Sequence, residues 1–140
     1  MIRLVRIQDV DTLARCIYGE ARGEPYEGKW AVGRTVVNRW KSGKWFAGET
    51  IEATAKMPWQ YSAFNRGDPN REKLLNVSYD DKLLRECMKA AMDAIHGAPH
   101  IWFTDDVTHY HADHIRTPNW AEGKTPAGRL GNHLFFAGID

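Results

Sequence analysis

Cysteine is scarce. The 140 residues hold two, Cys16 and Cys87, and neither has a second cysteine nearby, which excludes a thiolate zinc motif and a Cys-x-x-Cys redox pair. Both sit on helix faces with apolar neighbours and read as buried thiols, with a bond between them as the alternative. Long apolar runs are also missing. No segment approaches the roughly 20 residues that span a bilayer. The opening Met1-Ile2-Arg3-Leu4-Val5-Arg6 lacks the apolar stretch of a signal peptide, so a chain that is cytoplasmic as synthesised is expected. Excess charge of one sign is absent: 19 Lys and Arg against 18 Asp and Glu leave a formal net charge of +1. That balance gives no broad pull toward nucleic acid or an anionic membrane, and neither is expected as a partner. Phosphate loops, dinucleotide fingerprints and nucleophile elbows do not occur.

What is present suits one folded domain over residues 1–140. The length supports a proper core, and six Trp among 11% aromatics leave rings to spare for a groove. After a short lead-in over residues 1–8, Asp9 or Asp11 can cap a first helix ending near Ala21. Pro25 fits the first turn of a second helix, which runs to about Trp40. Its Trp30, Gly33, Val37 and Trp40 share a face, and Gly33 signals close approach by the first helix. Thr50 caps a short helix over 51–56, stopped by Pro58. A turn-rich stretch holds Gly67, Asp68, Pro69 and Asn70. Asp80 caps a fourth helix over 81–96, with Leu84, Cys87, Met88, Ala91 and Ile95 as its core stripe. Beyond Pro99, the stretches 101–103, 107–111 and 130–136 are short, aromatic and partly alternating, and read as strands or extended segments. The expected fold is α+β, predominantly helical, with a small C-terminal β or irregular region.

Three groups could carry chemistry. Glu20 lies three, four and seven residues after Ile17, Cys16 and Leu13, on the stripe the first helix should bury. Desolvation raises the pKa of a carboxyl, and a raised carboxyl is what a general acid needs near neutral pH. The competing reading is an ion pair with Arg22 or Arg34. Gln60 sits between the rings of Trp59 and Tyr61, an amide-and-aromatic pairing suited to sugars, which stack on rings and hydrogen-bond to amides. His109, His111 and His114 cluster near Asp105, Asp106 and Asp113. Two same-side imidazoles plus a carboxylate could hold a catalytic zinc, which makes a zinc amidase or peptidase the rival reading, although no standard zinc-binding motif is present. The blander reading places His109 and Tyr110 in a polar groove and His111 and His114 at the surface.

Taken together, the stretch Tyr18-Gly19-Glu20-Ala21-Arg22-Gly23-Glu24-Pro25-Tyr26-Glu27-Gly28, the segments Val37-Asn38-Arg39, Gln60-Tyr61-Ser62-Ala63, Thr108-His109-Tyr110-His111 and Pro118-Asn119-Trp120, and the block Gly131-Asn132-His133-Leu134-Phe135-Phe136 resemble the SleB/CwlJ-type cell-wall hydrolase family. That family is typified by spore-cortex-lytic enzymes and has relatives among bacteriophage endolysins. The first and last blocks are specific and the middle is generic. The resemblance implies a lysozyme-like catalytic domain that cuts peptidoglycan glycan strands between N-acetylmuramic acid and N-acetylglucosamine. It implies lytic transglycosylation, leaving a 1,6-anhydro-muramoyl end, with Glu20 as the catalytic acid and then the base. Gln60, Tyr61, Ser62, His109 and Tyr110 would line the cleft, and Asn132 and His133 would buttress or touch the sugar. Hydrolysis by a muramidase instead would need a second carboxylate, for which Glu24 is the candidate. A cofactor-free monomer acting on the wall after release, as an endolysin or a stand-alone remodelling enzyme, is the expectation.

Overall fold

The structure, a computed structural model, describes residues 4–58 and 60–140. Residues 1–3 of the expected lead-in, and Trp59, one of the two rings expected beside Gln60, lie outside these. Among the described residues are five α-helices, α1 (Ile7–Ala21), α2 (Tyr26–Ser42), α3 (Ile51–Lys56), α4 (Pro69–Asn76) and α5 (Lys82–His96). Three strands follow, β1 (Val107–Ala112), β2 (Gly128–Leu130) and β3 (His133–Ala137). The fold is α+β and mostly helical.

Helix α1 starts three residues earlier than the Asp9 cap predicts, with Arg6 at the N-cap position. Asp9 belongs to the first turn, where its carboxylate accepts the Arg6 backbone N–H at 2.8 Å and the Glu52 N–H of α3 at 3.0 Å. One buried carboxylate thereby serves two helix starts, where N–H groups lack intrahelical partners. The expected stripe is real: Leu13, Cys16 and Ile17 are fully buried, each apolar side chain contributing about 1.5–3 kcal/mol. Both cysteines are buried free thiols.

Helix α2 is buried without a break over residues 31–40, and not on one face alone. Its apolar positions pack into the core. Its polar positions face the C-terminal region, where Asn38 Nδ2 donates to the carbonyls of Thr104 at 3.1 Å and Val107 at 3.0 Å. Arg34 Nη1 donates to Ala94 O at 2.8 Å. These bonds pair the Asn38 amide N–H groups and one Arg34 N–H with carbonyls that would otherwise be costly to bury, while Asn38 Oδ1 and Arg34 Nε are buried with no partner among the described residues.

The turn-rich stretch contains a helix. Asp68 accepts the Asn70 N–H at 2.8 Å and Pro69 opens α4, an N-cap followed by proline in the first turn. The cap of α5 is Asp81, not Asp80, with its carboxylate accepting the Leu84 N–H at 3.0 Å. Residues 101–103 form a turn instead of a strand.

The strands form an antiparallel sheet in the order β1-β3-β2. The expected segment 130–136 is divided by a two-residue hairpin turn at Gly131-Asn132, and Gly131 has a φ of 58°, which glycine adopts without strain. Tyr110 pairs with Phe135 and Ala112 with His133 on one face. His109 pairs with Phe136 and His111 with Leu134 on the other. The first face turns toward the helices. The second is covered by Trp120 and the small cluster of Ala121, Phe136 and Ile139.

Gly33 is the contact point of three helices. A Cβ there would lie 2.8 Å from Ile17 Cδ1 of α1 and 3.3 Å from Ala94 Cβ of α5. Gly33→Val is therefore expected to overpack this junction and lower the unfolding free energy by about 1–3 kcal/mol. Urea unfolding monitored by circular dichroism checks this, and an unchanged midpoint would show that the helices part without cost.

Candidate active site

Glu20 occupies the last turn of α1, where the buried stripe of that helix meets the surface. Gly19 lets its neighbours close in. A Cβ on Gly19 would fall 2.6 Å from both Ala63 Cβ and Leu74 Cδ2, so the short 3-10 turn Ser62–Phe64 and helix α4 press directly against the chain beside the carboxyl. That approach brings the Ala63 N–H to 3.0 Å and the Ser62 hydroxyl to 3.4 Å from Glu20 Oε2. Tyr110 of β1 donates its phenol to Oε1.

The net effect on Glu20 is a pKa raised above the ordinary carboxyl range. Burial is the main cause, the charge of Asp68 adds to it, and the three donors pull the other way. Burial and the neighbouring Glu20 push the Tyr110 phenol well above its usual value, so it remains a donor through neutral pH. Neither arginine proposed as a partner for Glu20 reaches it. Arg22 donates to Tyr18 O and Asn70 Oδ1, and Arg34 to Ala94 O and Asp105.

A groove passes Glu20 on both sides. Two recesses, of about 510 and 410 Å³, share Gly19, Glu20, Asn70, Ala112 and His133. The first extends past Arg22, Glu24, His114 and Asn132. The second extends past Arg39, Gln60, Ser62, Tyr110, Pro118 and Trp120. One arm is polar and the other presents rings and an amide.

Of the residues expected in the cleft, Gln60, Ser62, Tyr110, Asn132 and His133 line it. Tyr61 and His109 do not. Tyr61 is 1% exposed, its hydroxyl lying 3.0 Å from Thr35 Oγ1, and it underlies the site as core. His109 is adjacent to Tyr110 on a strand, so strand alternation sends it to the opposite face. There its ring meets Phe46 and Trp120 edge-on, each at 5.0 Å, and burial, with Arg39 and Lys44, lowers its pKa to about 3. His111 shares that face, 5.8 Å from Trp120. His114 is exposed in the following loop. Among the described residues no three His, Cys, Asp or Glu side chains converge as metal ligands, which leaves the zinc reading without a ligand set. Asp105 pairs with Arg34, and Asp113 with Arg129 and His114.

Glu24 does line the groove, but both of its oxygens are occupied. Oε1 accepts the Asn132 backbone N–H at 2.8 Å and Oε2 the Asn132 side-chain amide at 3.0 Å. Its side chain is 9% exposed.

Arg39 is the site residue that the sequence reading missed. Its guanidinium is buried, donating to Thr108 O and Gln60 Oε1, both at 2.6 Å, and lies over the rings of Tyr61 at 4.8 Å and Phe46 at 5.4 Å, within cation–π range. Fixing the Gln60 oxygen leaves that amide's N–H groups to face the groove. A signal was present: Thr35 and Arg39 are polar residues one turn apart, flanked by Val36, Val37 and Trp40.

The fold has counterparts. It is similar to the catalytic domain of Bacillus cereus SleB, with a TM-score of 0.76 at 24% identity, covering 97% of this chain and 94% of that one. It is similar also to the catalytic domain of the germination-specific lytic transglycosylase SleB from Bacillus anthracis, at 0.74 and 23%, covering 97% and 99%. In sequence, the chain is 29% identical over 128 residues to a spore cortex-lytic enzyme of Bacillus subtilis (strain 168), covering 91% of this chain and 37% of that protein. It is 28% identical to a spore cortex-lytic enzyme of Oceanobacillus iheyensis, covering 91% and 41%. The chain thus spans well under half the length of these curated relatives. Residues 23–136 match the family model described as Cell Wall Hydrolase, a match that begins just after Glu20 and takes in Glu24, Arg39, Gln60, Tyr110 and His133, and on that match the chain belongs to the Cell Wall Hydrolase family.

Proposed function

We propose that this protein degrades peptidoglycan by cutting the glycan strand between N-acetylmuramic acid and N-acetylglucosamine, as a lytic transglycosylase. The observation that carries the reading is the single carboxyl at the middle of a two-armed groove, held by donors from three elements and raised in pKa by burial. A strand lying through the groove would place residues on both sides of the broken bond. Glu20 protonates the leaving glycosidic oxygen. The muramoyl C6 hydroxyl closes on C1 and surrenders its proton, in the simplest scheme to the Glu20 carboxylate. Membership of a cell wall hydrolase family supports the substrate class.

Hydrolysis by the usual two-carboxylate route wants a second carboxyl about 5–9.5 Å away with room for water. Among the described residues lining the two recesses, Glu24 is the other carboxyl, and Asn132 occupies both its oxygens. This favours the intramolecular hydroxyl as the attacking group. An endolysin and a wall-remodelling enzyme, the two settings left open by the sequence, would share this chemistry.

Glu20→Gln is expected to reduce release of soluble muropeptides from purified sacculi by at least about a thousandfold, as loss of the sole acid should. Mass spectrometry of wild-type products should show 1,6-anhydro ends, and reducing ends would move the mechanism to hydrolysis.

The pH dependence has a definite sign. Glu20 must be protonated to act, so kcat/KM falls as pH rises through its raised pKa. The Tyr110 phenol stabilises the carboxylate form, so Tyr110→Phe removes a contribution that lowers that pKa. The alkaline limb of the profile should move to higher pH while turnover drops about tenfold, within the usual range for a lost active-site hydrogen bond. A limb that stays in place or moves to lower pH would show that Tyr110 does not act on the acid.

A further inference from the structure

Glu24 and His133 form a second unit beside Glu20. The His133 Nδ1 lies 3.3 Å from Glu24 Oε1, with side chains 10% and 9% exposed. Nδ1 is buried and makes no hydrogen bond among the described residues, so Glu24 acts on the ring through its charge, which favours a proton on the nitrogen that faces it. A neutral imidazole with N–H on Nδ1 has its lone pair on Nε2. The ring lines both recesses that meet at Glu20, which leaves Nε2 as the nitrogen available to the groove. The ring also stands edge-on to Tyr110, centroids 4.9 Å apart, and Tyr110 in turn holds Glu20.

The bonds around Glu20 give this arrangement a purpose. Once Glu20 has given up its proton, the Tyr110, Ala63 and Ser62 donors all stabilise the carboxylate. They make it a good conjugate base to leave behind and a weak base for a sugar hydroxyl.

We propose that His133, oriented by Glu24, takes the proton of the hydroxyl that attacks C1. This rests on the glycan-cleaving reading above. The Glu20 proton goes to the glycosidic oxygen as the C1–O bond breaks. The C6 oxygen bonds to C1, and its proton passes to His133 Nε2. The resulting imidazolium sits against the Glu24 carboxylate until it loses its proton to water, and water reprotonates Glu20. His133 is then a catalytic residue and Glu24 a positioning residue, in the base-plus-orienter arrangement that recurs in acid–base sites.

Burial lowers the pKa of His133, Glu24 and Asp113 raise it, and His114 and His111 lower it further. The ring is neutral, and so competent as an acceptor, near neutral pH. Glu20 and Arg22 border the same recess as the ring, and Tyr110, edge-on to it, stays a neutral phenol.

The test is steady-state kinetics on soluble peptidoglycan chains across pH, with mass spectrometry of the products. His133→Ala should lower kcat by about 10²–10⁴-fold with KM within about twofold, and added imidazole should restore turnover in proportion to its neutral fraction. Glu24→Gln should lower kcat by about 10–100-fold, the usual cost of losing an orienting partner. It should also move the acid limb to lower pH, because a negative charge that favours the imidazolium is gone. A purely structural role would leave that limb in place and give no imidazole rescue. His133→Ala turnover within threefold of wild type, or a fall that imidazole does not reverse, overturns the proposal, and the rescue arm decides the matter even if Glu24→Gln fails to fold. Wild-type protein that releases no glycan fragments overturns the parent reading as well, whereas normal wild-type cleavage beside an unimpaired His133→Ala overturns this proposal alone.

Discussion

A carboxyl group holds a pKa above its ordinary range only where water is largely kept from it, and the neighbourhood of Glu20 is arranged around that constraint. The hydrophobic stripe of α1 carries the side chain to the boundary of the core. Gly19 gives up its own side chain so that Ala63 and Leu74 can close against the helix. The sheet supplies Tyr110 from the other side. Donors alone would depress the pKa, and burial alone would leave polar oxygens unsatisfied, at a cost of about 1–3 kcal/mol. The two together hold the carboxyl in a fixed orientation with a pKa still above its ordinary value.

The same trade recurs beneath the groove. Arg39 is a buried cation whose hydrogen bonds go to a carbonyl and an amide and whose faces meet aromatic rings. Burying a charge without an opposite charge beside it opposes folding. The return is positional, because Arg39 ties the Gln60 loop to β1 through the Thr108 carbonyl and fixes which end of the Gln60 amide faces out. Asn38 and Arg34, on the same helix, anchor the chain before β1 in the same way. Helix α2 is therefore both the centre of the core and the bracket that holds the sheet at a fixed distance from Glu20.

Local physics made part of this legible. The burial of Glu20 and the crowding at Gly33 followed from helical periodicity, which depends on residues close in sequence. The cap of α1 was misplaced because Asp9 serves the first turn as well as a cap residue would, and the two roles differ by one backbone geometry that the sequence does not display. Helix α4 was overlooked even though Asp68-Pro69 is a strong start signal, because Gly67 and Asn70 beside it read as a turn. The fates of Tyr61 and Glu24 lay beyond sequence reasoning. Each depends on a partner distant along the chain, Thr35 for the first and Asn132 for the second, and nothing near either residue announces the pairing. The histidine cluster shows the converse limit of sequence reasoning: closeness along the chain does not by itself gather side chains around one point, and among the described residues no three His, Cys, Asp or Glu side chains do so.

Strand alternation sorts the imidazoles of the sheet. In β1, His109 and His111 turn toward Trp120 and Phe136; the His109 ring packs among Phe46 and Trp120, where desolvation disfavours its charged form, and the His111 ring borders the second recess beside Trp120. Tyr110, between them, turns the other way. Antiparallel register then sets His133 of β3 diagonally from Tyr110 on that same face, a separation that aromatic side chains bridge. The hairpin turn at Gly131-Asn132 places the Glu24 side chain against the start of β3, so one acidic residue both anchors the turn and faces the imidazole. A slip of one residue in the β1–β3 register would turn His133 away from Tyr110 and out of the groove. Preserving that register is thus a requirement of the chemistry as well as of the fold, and the bonds from Glu24 to Asn132 act at the point where a slip would begin.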